Sequence, residues 1–182
     1  LRAEMAAVDK STPDSYERQS VINQMSYLYR TAGMKSDAKT LLLAELEKSA
    51  SPYYFMSGLA SYAERDEQHD EALEWRRKAY ENATGEATRF QWGANYVRTM
   101  IRLSPEDEEG ITGQAIALLG EFHESNEMFA GRNFKILKRL NRELADWQEI
   151  RLDENLAFKA EVERLCDDQV KESIRSEEHT SE

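Results

Sequence analysis

Five side chains in the middle of the sequence carry the residue types that dominate protein recognition: Tyr54, Arg89, Trp92, Asn95 and Tyr96. Aromatic rings and guanidinium groups supply large contact areas and directed hydrogen bonds, the usual chemistry of interface hot spots. At helical spacing Phe55 and Phe90 fall on apolar stripes, whereas Tyr54 and Trp92 fall off them and face a groove between helical hairpins. That placement predicts a peptide-binding surface; the competing reading is that the whole aromatic group packs in a core.

Reactive chemistry is thinly represented. The single cysteine, Cys166, sits beside Leu165 on an apolar helix face, where a thiol behaves as a small buried hydrophobe. The functional alternative is thiol exchange, which requires exposure and a depressed pKa. His69 falls in a predicted turn and His123 at a helix end, far in sequence from Cys166, so no metal site and no cofactor are predicted. A phosphate-binding glycine loop, a nucleophile elbow and a paired-histidine zinc helix are all missing from the sequence. The chain is therefore read as non-catalytic.

Two charge runs stand out. Arg132, Lys135, Lys138, Arg139 and Arg142 form a basic stretch, read as a solvated helix face pairing with carboxylates such as Glu143; docking of an acidic partner is the alternative. Glu106, Asp107, Glu108 and Glu109 read as first-turn carboxylates that complement a helix dipole.

The elements that must position these residues are helices. Thr12-Pro13-Asp14, preceded by Ser11, offers a capping hydroxyl and a first-turn proline, and Ile22, Met25, Tyr29 and Ala32 follow at helical spacing up to Gly33, a left-handed C-cap. Ser36 is expected to cap a second helix bearing Ala38, Leu41, Leu42 and Leu46. Pro52 opens a third, with Phe55, Leu59, Tyr62 and Ala63 inward; Asp70 opens a fourth, with Ala72, Trp75, Ala79 and Tyr80, stopped by Gly85. A third pair carries Phe90, Ala94, Val97 and Ile101, breaks at Ser104-Pro105, and resumes with Ile111, Ala115, Leu118 and Phe122.

Terminal helices are expected over about 126–150, with Phe134, Leu137, Leu140, Leu144 and Trp147, and about 153–174, with Leu156, Phe158, Val162 and Leu165. Short connections make paired helices antiparallel. Hairpins at about 14–49, 52–84 and 86–124 repeat with a period of roughly 34 to 38 residues. The expected fold class is all-α: stacked antiparallel helical hairpins in a right-handed array, one domain over 1–174, with terminal helices and the opening fragment as caps.

Composition agrees with that class. The chain is rich in Ala, Leu, Glu, Arg and Lys and holds few Gly and Pro. Its formal net charge of -11 argues against sequence-independent binding to nucleic acid or to an anionic membrane. No run approaches the roughly 18 apolar residues that span a bilayer.

Asp70-Glu71-Ala72-Leu73-Glu74-Trp75-Arg76-Arg77-Lys78-Ala79-Tyr80-Glu81 resembles the second helix of a tetratricopeptide repeat, with Ala72 and Ala79 at its small positions. The first helix of that pair departs from the pattern at Gly58-Leu59-Ala60, the intervening turn lacks the usual glycine, and Glu45 stands where the first pair needs a small residue. More narrowly, Pro52-Tyr53-Tyr54-Phe55-Met56, Lys78-Ala79-Tyr80 and Ala87-Thr88-Arg89-Phe90-Gln91-Trp92-Gly93 resemble the helical C-terminal region of bacterial exported thioredoxin-family proteins. This resemblance implies an upstream thiol-disulfide domain with a Cys-x-x-Cys motif and a periplasmic location; without it, a cytoplasmic location or a longer adaptor array is the expectation. The implied partner is a protein or peptide, including the missing thioredoxin-like domain, with a purely structural packing or dimerisation role as the alternative.

Both ends carry expectations of their own. The chain opens at Leu1 already in helical pattern, with Met5 and Val8 in step, which suggests a missing N-terminal part. Residues 175–182 match the in-frame translation of a sequencing-adapter oligonucleotide and are set aside as an artefact of a metagenomic fragment.

Overall fold

The computed structural model describes residues 2–12, 14–121, 131–149 and 164. The second terminal helix, Phe122, His123, Cys166 and the tail 175–182 lie outside them. The described residues form helices and connections without strands, so the protein is all-α. The helices are α1 (Arg2–Ser11), α2 (Ser15–Thr31), α3 (Lys35–Leu46), α4 (Tyr53–Arg65), α5 (His69–Asn82), α6 (Glu86–Leu103), α7 (Glu108–Glu121) and α8 (Gly131–Glu149). Two compact units divide the chain, Leu1–Ala83 and Thr84–Glu182.

In the first unit α2 packs on α3, α4 on α5, and the pairs meet through α3 and α4, the arrangement of a helical-repeat fold. Its core gathers Met5, Ile22, Met25, Tyr29, Ala38, Leu42, Phe55 and Leu59. Ala60, Ala63, Ala72 and Ala79 are buried along α4 and α5, and such small side chains let helices approach closely. Tyr62 is half-buried and packs against this core, and its hydroxyl shares a 2.5 Å hydrogen bond with Ser26.

Helix ends follow local chemistry, with corrections. α2 stops in a Schellman motif: Gly33 has φ 76°, the Met34 amide donates to Tyr29 O at 2.8 Å, and the Gly33 amide donates to Arg30 O at 2.9 Å. The expected hydroxyl caps are not used. Ser11 Oγ and Thr12 Oγ1 donate back to Val8 O, and α2 is capped by the Asp14 carboxylate, which accepts from the Glu17 amide. α3 starts at Lys35 after Met34 without a side-chain cap, so Ser36 does not cap it. Ala32 is exposed. His69 is the first residue of α5, not a turn residue, and α5 ends at Asn82; Gly85, with φ 79°, precedes α6 instead of stopping α5.

The turn without glycine solves the same problem at a cost. Glu67 takes φ 59°, the Gln68 amide donates to Ala63 O at 2.9 Å and the Glu67 amide to Glu64 O at 3.2 Å, a Schellman closure with a non-glycine residue in the left-handed region. Glu67→Gly is expected to raise stability by about 0.5–1 kcal/mol, and Gly33→Ala to lower it by a similar amount, since only backbone conformation changes at either site. Urea unfolding of the two variants reads both signs.

In the second unit α6 packs against both α7 and α8. It buries Phe90, Ala94 and Val97 together with Trp92, Gly93, Thr99 and Met100, more than one stripe, because it has two neighbours. Ile111, Ala115 and Leu118 of α7 and Leu140, Leu144 and Trp147 of α8 are buried as expected. Phe134 is not: it is 43% exposed. The acidic run straddles the start of α7, and Asp107 caps it by accepting from the Gly110 amide at 3.0 Å.

Candidate functional site

The five predicted contact residues divide between the units. Tyr54 belongs to the first, half-buried near the start of α4 with its ring 4.9 Å from that of Tyr53. Arg89, Trp92, Asn95 and Tyr96 follow one another along α6 in the second. Arg89 Nε donates to Glu121 Oε1 at 2.8 Å, which ties α6 to the end of α7. Asn95 Oδ1 accepts from Arg98 Nη1 at 3.2 Å, and Tyr96 is half-buried. Trp92 is only 6% exposed. It is buried with Phe90, Ala94 and Val97 on a helix that has two neighbours, α7 and α8, which one-stripe periodicity cannot anticipate.

The C-terminal half of α6 opens instead onto a cleft of about 580 Å³ between α6, the α6–α7 turn and α8. Ile101, Pro105 and Trp147 give it apolar walls, and Arg98, Arg102, Arg139, Glu143 and Asp146 give it charged ones. Trp147 is fixed by its indole N–H, which donates to Pro105 O at 2.9 Å. Arg98 grips Glu143 in a two-pronged pair, Nε to Oε2 at 2.7 Å and Nη2 to Oε1 at 2.9 Å, and Arg139 Nε donates to the same Oε1 at 2.9 Å. Arg102 donates to Arg98 O at 3.2 Å.

Burial pushes the Glu143 carboxyl up, but the hydrogen bonds from Arg98 and Arg139 together outweigh it and hold the group below its ordinary 4.5. A carboxylate with a depressed folded pKa stabilises the fold above its unfolded value and loses that contribution as pH falls through the folded one. Glu143→Gln is therefore expected to cost about 1–2 kcal/mol at neutral pH, and its gap from the parent to narrow as pH drops below 4.5. Acid titration of α8 helicity in both proteins checks this.

Sequence reasoning missed the cleft because its walls come from three segments. The signal that was present is local: Arg139 and Glu143 stand four apart on one helix, and Ser104-Pro105 marks the turn that forms one wall. Among the described residues no three His, Cys, Asp or Glu side chains group as metal ligands, and no helix is long and apolar enough to cross a membrane. Comparison with protein-family models, with curated proteins and with solved structures finds no match to the chain.

Proposed function

We propose that this chain is a protein-interaction module of tetratricopeptide-like hairpins that binds a peptide segment of a partner through the cleft between α6 and α8. The observation that carries this reading is the cleft itself: apolar walls at Ile101, Pro105 and Trp147 flanked by the guanidinium groups of Arg98, Arg102 and Arg139. A volume of about 580 Å³ accommodates one or two side chains of a partner segment. Arginine around an apolar hollow is hot-spot chemistry, with Trp147, itself 6% exposed, forming the floor and Ile101 and Pro105 the walls.

The wider context, an accessory domain of an exported thioredoxin-like protein, rests on the aromatic segments alone. Most of the apolar residues of those segments, Tyr53, Phe55, Met56, Ala79, Phe90 and Trp92, are buried in the core. A display library of short peptides panned against the full chain tests the binding reading. Enriched peptides are expected to lose at least about tenfold in affinity on Ile101→Asp and to keep it on Tyr54→Ala, about 1.4 kcal/mol of discrimination. Enrichment of nothing, or of peptides indifferent to Ile101→Asp, contradicts it.

A second reading, a packing or dimerisation domain, is favoured by large apolar side chains exposed on the first hairpin: Tyr27 at 55%, Leu28 at 39% and Leu43 at 40%. Sedimentation of the full chain separates the two. A dimer dissolved by Leu28→Glu supports the dimerisation role, and a monomer removes that role.

A further inference from the structure

One side of α8 carries an exposed row of cations: Arg132, Lys135, Lys138, Arg139 and Arg142. Their spacings of three and four residues keep them on one face, about 15 Å from first to last at the helical rise. Only Arg139 pairs with a carboxylate among the described residues, and Lys138 lies instead 5.5 Å from the centre of the exposed Phe134 ring.

A solvated helix face in this protein looks different. On α5, Arg77 is held between Glu74 and Glu81, and Lys78 reaches Glu74, so opposite charges alternate along the surface. On α8 like charges repeat at the three- and four-residue spacings where they repel. Arg132 also occupies the first turn, which contains no acidic residue, where the helix dipole disfavours a cation. In a chain of net charge -11 this row stands against the general composition, and among the described residues Arg132, Lys135 and Arg142 have no carboxylate partner to offset their mutual repulsion.

We infer that the α8 row is the electrostatic half of the binding surface, and that the partner segment is an acidic peptide. Its carboxylates lie along Arg132, Lys135 and Arg142, and an apolar side chain enters the cleft that Arg139 shares with the row. This assignment rests on the cleft being the binding surface. An extended segment of about five residues, or a helix with Glu or Asp at every third or fourth position, spans the row. Nucleic acid fits less well, because the adjoining cleft has apolar walls at Ile101, Pro105 and Trp147, which a peptide side chain can fill and a phosphate backbone cannot.

The test uses the full chain and three labelled helical peptides with the same leucine anchors: one with Glu along its polar face, one with Gln in its place and one with Lys. Fluorescence anisotropy is expected to show the Glu peptide binding at least about tenfold tighter than the Gln peptide, with the Lys peptide weakest. Lys135→Glu/Arg142→Glu is expected to remove the preference while leaving the circular dichroism of the helices unchanged.

If the Glu and Gln peptides bind equally and Ile101→Asp abolishes both, the inference is overturned while the cleft reading stands. If none of the three binds, both fall. Binding of a thymidine oligonucleotide as tightly as the Glu peptide overturns the assignment to an acidic protein segment. Should the Lys135→Glu/Arg142→Glu protein unfold, Lys135→Gln/Arg142→Gln serves instead, and an unchanged preference there overturns the inference.

Discussion

Trp92→Ala is expected to destabilise the second unit by about 3–5 kcal/mol, the range for truncating a large buried aromatic side chain. The indole is 6% exposed on a helix that packs against two others, so its loss leaves a cavity that the surrounding side chains can fill only by moving. Urea unfolding followed by circular dichroism reads the loss directly. A surface residue poised for a partner behaves otherwise: its truncation leaves stability within about 0.5 kcal/mol and changes binding alone. A stable Trp92→Ala protein with impaired peptide binding restores Trp92 to a contact surface and removes it from the core.

Arg18→Met is the second large effect, about 3 kcal/mol lost from the first unit. Arg18 Nη2 donates to Glu45 Oε1 and to Asp9 Oδ1, each at 2.6 Å, while Nη1 donates to the carbonyls of Asp9 and Thr12 at 3.0 Å. One guanidinium thus joins α1, the α1–α2 connection and α3, and the hydrogen bonds to Glu45 and then Asp9 hold its pKa above the usual arginine value. Glu45 has a side chain only 3% exposed, so removing Arg18 strands a carboxylate that Lys48, itself 59% exposed, reaches at 3.2 Å. Arg18→Met/Glu45→Leu is expected to recover most of the loss, because an apolar pair has no charge to desolvate. A double variant as unstable as the single one shows that the cost lies in the lost carbonyl contacts instead.

Which features were legible follows from how far their causes lie apart in the chain. Gly33 as a left-handed cap, Pro52 at a helix start and the break at Ser104-Pro105 depend on backbone rules within a few residues. The buried alanines 72 and 79 follow from periodicity. Glu45 was noticed as a misfit at a small position, but its partner is 27 residues away and on another helix, so the misfit could not be turned into an ion pair.

Glu67 shows the same limit from the other side: closing the turn requires a left-handed residue, and nothing in the side chain announces that glutamate provides it. The cleft is the least legible part. A single apolar stripe leaves Trp92 off the core and facing a groove between hairpins, whereas α6 has two partners, and the cleft beside it exists only once α8 lies across the α6–α7 turn.

The most direct measurement is hydrogen exchange of the full chain with and without a peptide selected for affinity. Slowed exchange is expected to concentrate in α6 and its following turn from Arg98 to Pro105, and in α8 from Arg139 to Trp147, the segments that line the cleft. Slowing confined to the start of α4 around Tyr54, or to the first turns of α6 around Arg89, with the cleft segments unchanged, contradicts it.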